Sequence, residues 1–376
     1  MDAAASTADR ARRPTGRRGA GVVILVNGGE DSALGERARW IARAAGPEAS
    51  IGYRADGRAQ AIGRFVRLVH AARPRTVYLV DTAIATVLAG AWARRLGARV
   101  VLDTGDATAA LTRTTGRLGP LGRAGAPLFE RLAYALAATV VVRSQELGRH
   151  VRSLVQRPVV VVPDGFDPDL VDTAGGAVHR GQWGIDDAQT VIGVLGSAHW
   201  NGRRRWCYGR DVIEAVAGAR RPDVRGVVLV RGDGLPHLRA LADRLGLADR
   251  VVFADPANAR EAWRQLAGID VGLSTQTDDV VGRVRTTGKL VQYMAAGRFI
   301  LASRVGVGAA LLPEPMLVDY HGAWDEGYFA RLAERVAALP GRARLAEQGG
   351  RLREQAEPFA YPRLVPALSA VLEAEA

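Results

Sequence analysis

Residues 280–297 read VVGRVRTTGKLVQYMAAG and lead directly into the apolar run Phe299-Ile300-Leu301-Ala302. Apolar residues recur at helical spacing after Gly288, which predicts a helix over 289–296 that ends at Gly297. The following apolar run is typical of a buried strand. A short helix that feeds a buried strand is the repeating unit of an α/β protein, so this stretch indicates the fold class.

The start of the predicted helix carries Lys289, the only lysine in a chain whose other basic residues are all arginine. Lysine is a compact point charge and arginine a wide fork, so a lone lysine favours a specific site, although chance survival on a solvated face stays open. Free amides, Thr286 or Thr287 as a cap, and the small Gly288 accompany it. Arg285 lies just upstream. These groups predict a phosphate or diphosphate site.

Short apolar runs alternate with helical patterns along the whole chain. Strands are predicted to begin near Gly21, Ile51, Thr76, Arg99, Thr139, Val159, Thr190, Gly226, Arg250, Ile269 and Phe299. Strands separated by helices of about 10–15 residues indicate parallel sheets. We therefore predict two tandem doubly wound, Rossmann-like α/β domains. A long Gly- and Thr-rich loop is predicted over 103–125.

The turn-rich segment that follows residue 163 divides the chain. We predict a disordered basic tail over 1–20, a first domain over 21–175, a second domain over 188–355, and a closing helix over 356–376 that packs back on the first domain. Ligands of such sheets bind beyond the carboxyl ends of the strands. The site is therefore expected in the cleft between the two domains.

The formal net charge of +12 is uneven, because residues 1–175 contain 25 arginines against 16 acidic residues. A basic first domain suits an anionic partner and predicts peripheral contact with an anionic membrane, although an arginine-rich solvated surface stays open. Neither zinc-ligand spacing nor an RNA-binding aromatic pair occurs, which argues against nucleic acid. A Gly-x-Gly-x-x-Gly element of dinucleotide dehydrogenases is also missing.

The compartment is predicted from what the chain contains. One cysteine, Cys207, excludes an intramolecular disulfide and a cysteine-rich zinc site. Residues 1–20 lack the apolar core of a secretory signal, and no run of 18 apolar residues could span a membrane. We predict a cytoplasmic protein that contacts the inner membrane face only peripherally.

Five short motifs follow one another in order. They are VVPDGFD at 161–167, GVLG at 193–196, VLVRGDG at 228–234, RVVFAD at 250–255 and KLVQYMAAG at 289–297. In this order and spacing they resemble the GT-B fold glycosyltransferases of the retaining, group-1 (family-4-like) superfamily. The resemblance runs from about residue 21 to the C-terminus.

The resemblance implies a nucleoside-diphosphate sugar held by the second domain and a glycan, lipid-linked or small-molecule acceptor held by the first. The sugar would move with retained configuration, with no permanently bound cofactor and no metal. Lys289, Arg285 and Asp106 are the candidate catalytic residues. The candidate donor-binding residues are Thr286, Thr287, Gly288, Gln292, Arg283, Asp279, Gly196 and Arg203. The candidate acceptor-side residues are Asn27, Gly28, Gly29 and Asp103.

Four positions depart from the family pattern. Val284 and Gln292 stand where two glutamates are common, and Ser197 and Tyr208 stand where a basic pair is common. Asp278 or Asp279 could compensate for the first glutamate. Two alternatives therefore stay open: a catalytically silent GT-B protein that serves as a partner in glycan assembly, and a GT-B nucleotide-sugar epimerase.

Overall fold

The computed structural model describes residues 21–54, 57–115, 119–286 and 288–374. These residues form two six-stranded sheets with helices between successive strands. All the strand pairs are parallel, which confirms the predicted tandem doubly wound architecture. The predicted tail over 1–20 lies outside the described residues.

The first sheet is built from strands rich in valine, and its central strands are buried on both faces, as parallel sheets require. Its strands are β1 (Val22–Val26), β2 (Ser50–Tyr53), β3 (Thr76–Val80), β4 (Arg99–Thr104), β5 (Thr139–Val142) and β6 (Val159–Val161). Their order across the sheet is β2-β1-β3-β4-β5-β6. The helices are α1 (Ala33–Ala45), α2 (Arg58–Ala72), α3 (Ile84–Arg95), α4 (Thr108–Thr115), α5 (Pro120–Leu136) and α6 (Gln145–Leu154).

The second sheet repeats this plan after a short helix, α7 (Gly176–Gln182). Its strands are β7 (Thr190–Ser197), β8 (Val224–Arg231), β9 (Val251–Ala254), β10 (Val271–Ser274), β11 (Phe299–Ser303) and β12 (Leu317–Val318). Their order is β12-β11-β10-β7-β8-β9. The helices are α8 (Arg210–Ala219), α9 (Leu235–Arg244), α10 (Ala259–Arg264), α11 (Val280–Val284), α12 (Gly288–Ala295), α13 (Gly306–Leu311), α14 (Gly327–Ala337), α15 (Arg342–Ala356) and α16 (Tyr361–Glu373).

The last helix, α16, belongs in space to the first domain. It packs on α1, where the rings of Trp40 and Tyr361 stack with their centres 5.5 Å apart. Arg99 Nη1 donates a 2.7 Å hydrogen bond to the carbonyl of Val371. Together α1 and α16 cover one face of the first sheet, and α2, α3, α5 and α6 cover the other.

The predicted loop over 103–125 is wrong in part, because the structure forms α4 and the first turns of α5 there. The glycine and threonine content favours a loop, but a tertiary contact overrides it. Glu130 is buried, accepts a hydrogen bond from the amide of Ala109 at 3.3 Å, and accepts another from Tyr134 Oη at 3.1 Å. The carboxylate therefore ties the start of α4 to α5.

Two further observations concern the helices. The predicted helix over 289–296 is observed as α12, and Gly297 ends it with a φ of +67°, a conformation that glycine adopts without strain. Among the described helices, none combines the length and apolar character needed to cross a bilayer.

Candidate functional site

The carboxyl ends of the strands of both sheets meet at the contact between the two domains. Arg285 Nε of the second domain lies 2.8 Å from Asp106 Oδ1 of the first. Ser144 Oγ donates a 2.6 Å hydrogen bond to the carbonyl of Val284. Val284 itself is buried in the apolar cluster of the first domain. The segment just before α12 therefore docks the second domain onto the first.

Lys289 lies at this contact, in the first turn of α12, with its side chain buried. Its Nζ is 3.2 Å from the centre of the Tyr208 ring, and no described residue accepts a hydrogen bond from it. Burial lowers the pKa of Lys289 and outweighs the opposing effects of Tyr208 and of the negative charge of Asp211. A buried ammonium group without an ion-pair or hydrogen-bond partner is costly, which favours a role in binding an anion.

Tyr208 is held in position by its own contacts. Its hydroxyl accepts a 3.2 Å hydrogen bond from Gln276 Nε2. Its ring lies against Gly196, where an added Cβ would come within 3.4 Å of the ring. Burial alone would raise the pKa of Tyr208, but the charges of Lys289 and Arg285 outweigh it, and the pKa is lowered. Tyr208 therefore stands beside the two cations of the site.

The start of α12 contributes further unpartnered groups. The hydroxyl of Thr286 is buried and has no hydrogen-bond partner among the described residues. Gly288 begins the helix, whose first backbone amides have no partner within the helix itself. Gln292 is buried one turn further on. Thr287, the other threonine of the predicted site, lies outside the described residues.

Two of the predicted donor-binding side chains engage local partners, and a third is exposed. Asp279 Oδ1 caps α11 by accepting hydrogen bonds from the amide of Gly282 at 3.1 Å and from Thr277 Oγ1 at 2.8 Å. Arg283, more than half exposed, pairs with Asp278 at 2.6 Å. Arg203 is exposed on the loop after β7. The structure does not bring these three side chains to Lys289.

On the first domain, Asp103 is the next-to-last residue of β4 and is fully buried. Its carboxylate accepts hydrogen bonds from Arg37 Nε at 2.8 Å, Tyr78 Oη at 2.9 Å and Arg143 Nε at 3.3 Å. These three donors occupy it inside the protein, which favours a structural role. Asp106, three residues later, lies at the surface of the contact and pairs with Arg285.

Asp81 and Thr82, directly after β3, were not identified from the sequence, although Asn27, which contacts Asp81, was. Asp81 has a φ of +79°, which is uncommon for a residue other than glycine, and accepts a 2.7 Å hydrogen bond from Asn27 Nδ2. The oxygens Asn27 Oδ1 and Thr82 Oγ1 are buried without hydrogen-bond partners among the described residues. Burial raises the pKa of Asp81. The only signal in the sequence is a polar pair that follows a buried strand.

The glycine pair beside Asn27 has two different environments. An added Cβ at Gly28 would approach Ser32 Oγ, the cap of α1, to 2.8 Å, whereas at Gly29 it would meet nothing within 4 Å. Gly28 is therefore required by local packing, and Gly29 leaves open space. Within the described residues no group of three or more His, Cys, Asp or Glu side chains is placed to hold a metal ion.

No protein-family model matches the chain. It is 31% identical over 183 residues to the 2-deoxystreptamine glucosyltransferase of Streptomyces kanamyceticus, over 48% of this chain and 42% of that protein. It is 30% identical over 174 residues to a D-inositol 3-phosphate glycosyltransferase of Mycobacterium, over 44% of this chain and 37% of that protein. The chain thus spans about two fifths of the length of these curated relatives.

Solved structures match over nearly the full length. Anabaena Alr3699/HepE in complex with UDP and glucose superposes with a TM-score of 0.73 at 19% identity, over 94% of this chain and 99% of that one. This likeness establishes the fold. The chain therefore has the GT-B fold, and over about half of its length its sequence is similar to those of glycosyltransferases.

Proposed function

We propose that the protein transfers a sugar from a nucleoside-diphosphate sugar to an acceptor with retained anomeric configuration. The acceptor would be a glycan, a lipid-linked or a small molecule. The second domain would hold the donor and the first domain the acceptor. The proposal includes neither a permanently bound cofactor nor a required metal.

One observation carries this proposal. Lys289 places a buried ammonium at the start of a helix, and no ion-pair partner for it lies among the described residues. The hydroxyl of Thr286, close by in sequence, has no hydrogen-bond partner in that part of the chain either. Helix amides, a hydroxyl and a cation together suit a diphosphate. Burying a cation without an ion-pair partner is costly, so a dianionic ligand is expected to bind there.

The same groups would act on the departing diphosphate. Transfer breaks the bond between the sugar and the diphosphate, and negative charge develops on the leaving oxygen. Lys289 and the first amides of α12 would stabilise that charge, and Arg285 would add to the positive potential from the domain contact. Gln292, a neutral amide, would hydrogen-bond hydroxyl groups of the donor rather than accept as a carboxylate does.

The acceptor is proposed to bind near Asp81. The unpartnered oxygens Asn27 Oδ1 and Thr82 Oγ1 and the carboxylate of Asp81 are hydrogen-bond acceptors that hydroxyl groups would satisfy. Arg143 Nη2 is a buried donor without a hydrogen-bond partner in the described part of the chain. The two curated relatives are named for 2-deoxystreptamine and D-inositol 3-phosphate, so hydroxyl-rich rings are the first acceptors to test.

Two alternative functions, a silent glycan-assembly partner and a nucleotide-sugar epimerase, also remain to be tested. Val284 and Gln292 replace two common glutamates, and Val284 is committed to packing against the first domain. A silent glycan-assembly partner would bind a nucleotide without transfer to any acceptor. An epimerase would change the donor sugar with no acceptor present, so product analysis with and without acceptor separates the three activities.

We also propose a cytoplasmic protein whose basic first domain contacts an anionic membrane. The support is the net positive charge of residues 1–175, which contain 25 arginines and 16 acidic residues. Such a surface is attracted to anionic lipids within a short distance of the bilayer.

The first experiment is thermal unfolding with UDP, GDP, ADP and dTDP, because HepE was solved with UDP and glucose. A nucleotide at 100 times its dissociation constant adds about 2.7 kcal/mol to the free energy of unfolding. One nucleotide should stabilise the wild type, and Lys289→Ala should respond much less. A folded wild type that none of the four nucleotides stabilises would contradict the proposed donor site.

A further inference from the structure

An apolar surface lies on the outer side of α3 and α5 and plays no part in the proposed donor site. We call it the leucine stripe: Ile84, Leu88, Leu121, Leu128 and Leu132. On α5 the exposed fractions are 90% for Leu121, 63% for Leu128 and 58% for Leu132. The spacings of seven and four residues put these three side chains on one face of the helix.

The two helices present their exposed residues to the same side of the molecule. Both pack their inner faces on the same layer of the first sheet. They also contact one another, with Arg94 Nη1 donating a 3.3 Å hydrogen bond to the carbonyl of Leu136. Ile84 and Leu88, each 48% exposed and four residues apart, therefore extend the patch of α5. Several large apolar side chains exposed on one side of a molecule indicate an interaction site.

The exposed charges of helices α3, α4 and α5 have one sign. Helices α3, α4 and α5 contain five arginines and a single acidic residue, Glu130, whose side chain is buried. Arg95, Arg113 and Arg131 are exposed, and within the described residues none of the three has an ion-pair partner. The partner is therefore expected to be apolar and to carry negative charge.

We propose that the leucine stripe and its arginines form a docking surface for an anionic lipid bilayer. Leucines on one face of a helix, with arginines beside them, suit a helix that lies in the plane of a membrane interface. A second copy fits less well, because a two-fold contact would bring the arginines of both copies together. Nucleic acid would satisfy the arginines but leave the leucines exposed. This inference deepens the proposed membrane contact and is independent of the donor site.

The test is co-sedimentation of the full chain with phosphatidylcholine vesicles, with and without phosphatidylglycerol. The wild type should sediment with the anionic vesicles, and Leu128→Glu/Leu132→Glu should weaken partitioning roughly tenfold or more. Val178→Glu is the matched control: Val178 is 63% exposed on α7, far from the stripe in sequence, and its substitution should change nothing. Arg95→Gln/Arg131→Gln should weaken partitioning at low salt and much less at high salt.

Three results would overturn the proposal. The first is no sedimentation with anionic vesicles at low salt. The second is an equal loss for Val178→Glu. The third is a wild-type dimer that Leu128→Glu/Leu132→Glu converts to a monomer, which would make the stripe a contact between copies. The stripe variants should keep the thermal response to the nucleoside diphosphate, so this failure and failure of the donor site are distinguishable.

Discussion

The ammonium group of Lys289 lies over the ring face of Tyr208, 3.2 Å from its centre, with no hydrogen-bond acceptor among the described residues. A desolvated cation over an aromatic ring gains about 2 kcal/mol. This attraction orients the lysine without supplying a negative charge. The contact thus keeps Lys289 at the start of α12, where a diphosphate can displace the ring as its partner.

Replacing Lys289 by methionine should separate stability from ligand binding. Methionine keeps the apolar stem and removes the buried charge, so the unliganded protein should gain about 1–3 kcal/mol in free energy of unfolding. The stabilisation by the nucleoside diphosphate should fall sharply. Urea unfolding with and without the nucleotide measures both quantities. A variant that unfolds more easily yet keeps the full nucleotide response would show that Lys289 serves packing alone.

Tyr208 and Lys289 should also titrate in alkaline solution. The folded-state pKa of Tyr208 lies below its ordinary value of 10.0, and that of Lys289 lies below 10.5. In both cases the unfolded chain binds more protons, so the pair adds stability as the pH rises from neutrality toward these values. The pair titrates as a unit rather than as two separate residues.

We therefore expect the wild type to gain stability over Tyr208→Phe as the pH approaches 10.0, the ordinary value for tyrosine. Tyrosinate absorbance should report one early-titrating tyrosine, absent from Tyr208→Phe. Tyr293, whose pKa is raised by burial, is the matched control, and Tyr293→Phe should keep the early signal. A difference in stability that does not change with pH would contradict the assigned charge interaction.

The sequence predicts the two sheets and the helix at Lys289 because both rest on local patterns. Valine-rich runs alternate with helical periodicity, and Gly297 supplies the left-handed turn that ends α12. Such local patterns could not predict the burial of the Glu130 carboxylate or the formation of α4. That helix depends on a bond between the amide of Ala109 and a side chain of α5.

The site divides in the same way. Lys289 and Thr286 are three residues apart at the start of one helix, so the sequence could place them together. Asp81 could not be found, because its character comes from a left-handed backbone and from Asn27, 54 residues away. The local partners of Arg283 and Asp279 also depend on side-chain geometry, which no spacing rule specifies.

The ion pair between Arg285 and Asp106 should couple the two domains. Both side chains are less than one third exposed, at 31% and 23%, and their closest atoms are 2.8 Å apart. In a double-mutant cycle with Arg285→Gln and Asp106→Asn, we expect a coupling energy of about 1 kcal/mol in the free energy of unfolding. The exposed pair Arg351–Glu347 on α15 is the matched control and should give less. Equal coupling in both pairs would remove the special role of the domain contact.

Asp81→Asn should impair the acceptor side alone. Asparagine tolerates the left-handed backbone of residue 81 and keeps one oxygen for Asn27. The substitution removes the negative charge and also the second acceptor oxygen, which the amide of Thr82 uses. Burial raises the folded-state pKa of Asp81 above 3.8, so its carboxylate lowers stability above that pKa, and the variant should gain stability at neutral pH but not in acid.

Transfer to a hydroxyl-bearing acceptor should fall about 10- to 100-fold in kcat/KM, because a hydrogen bond to a charged group is lost. The thermal response to the nucleoside diphosphate should be unchanged. An Asp81→Asn protein that loses that response while keeping transfer would place Asp81 on the donor side instead.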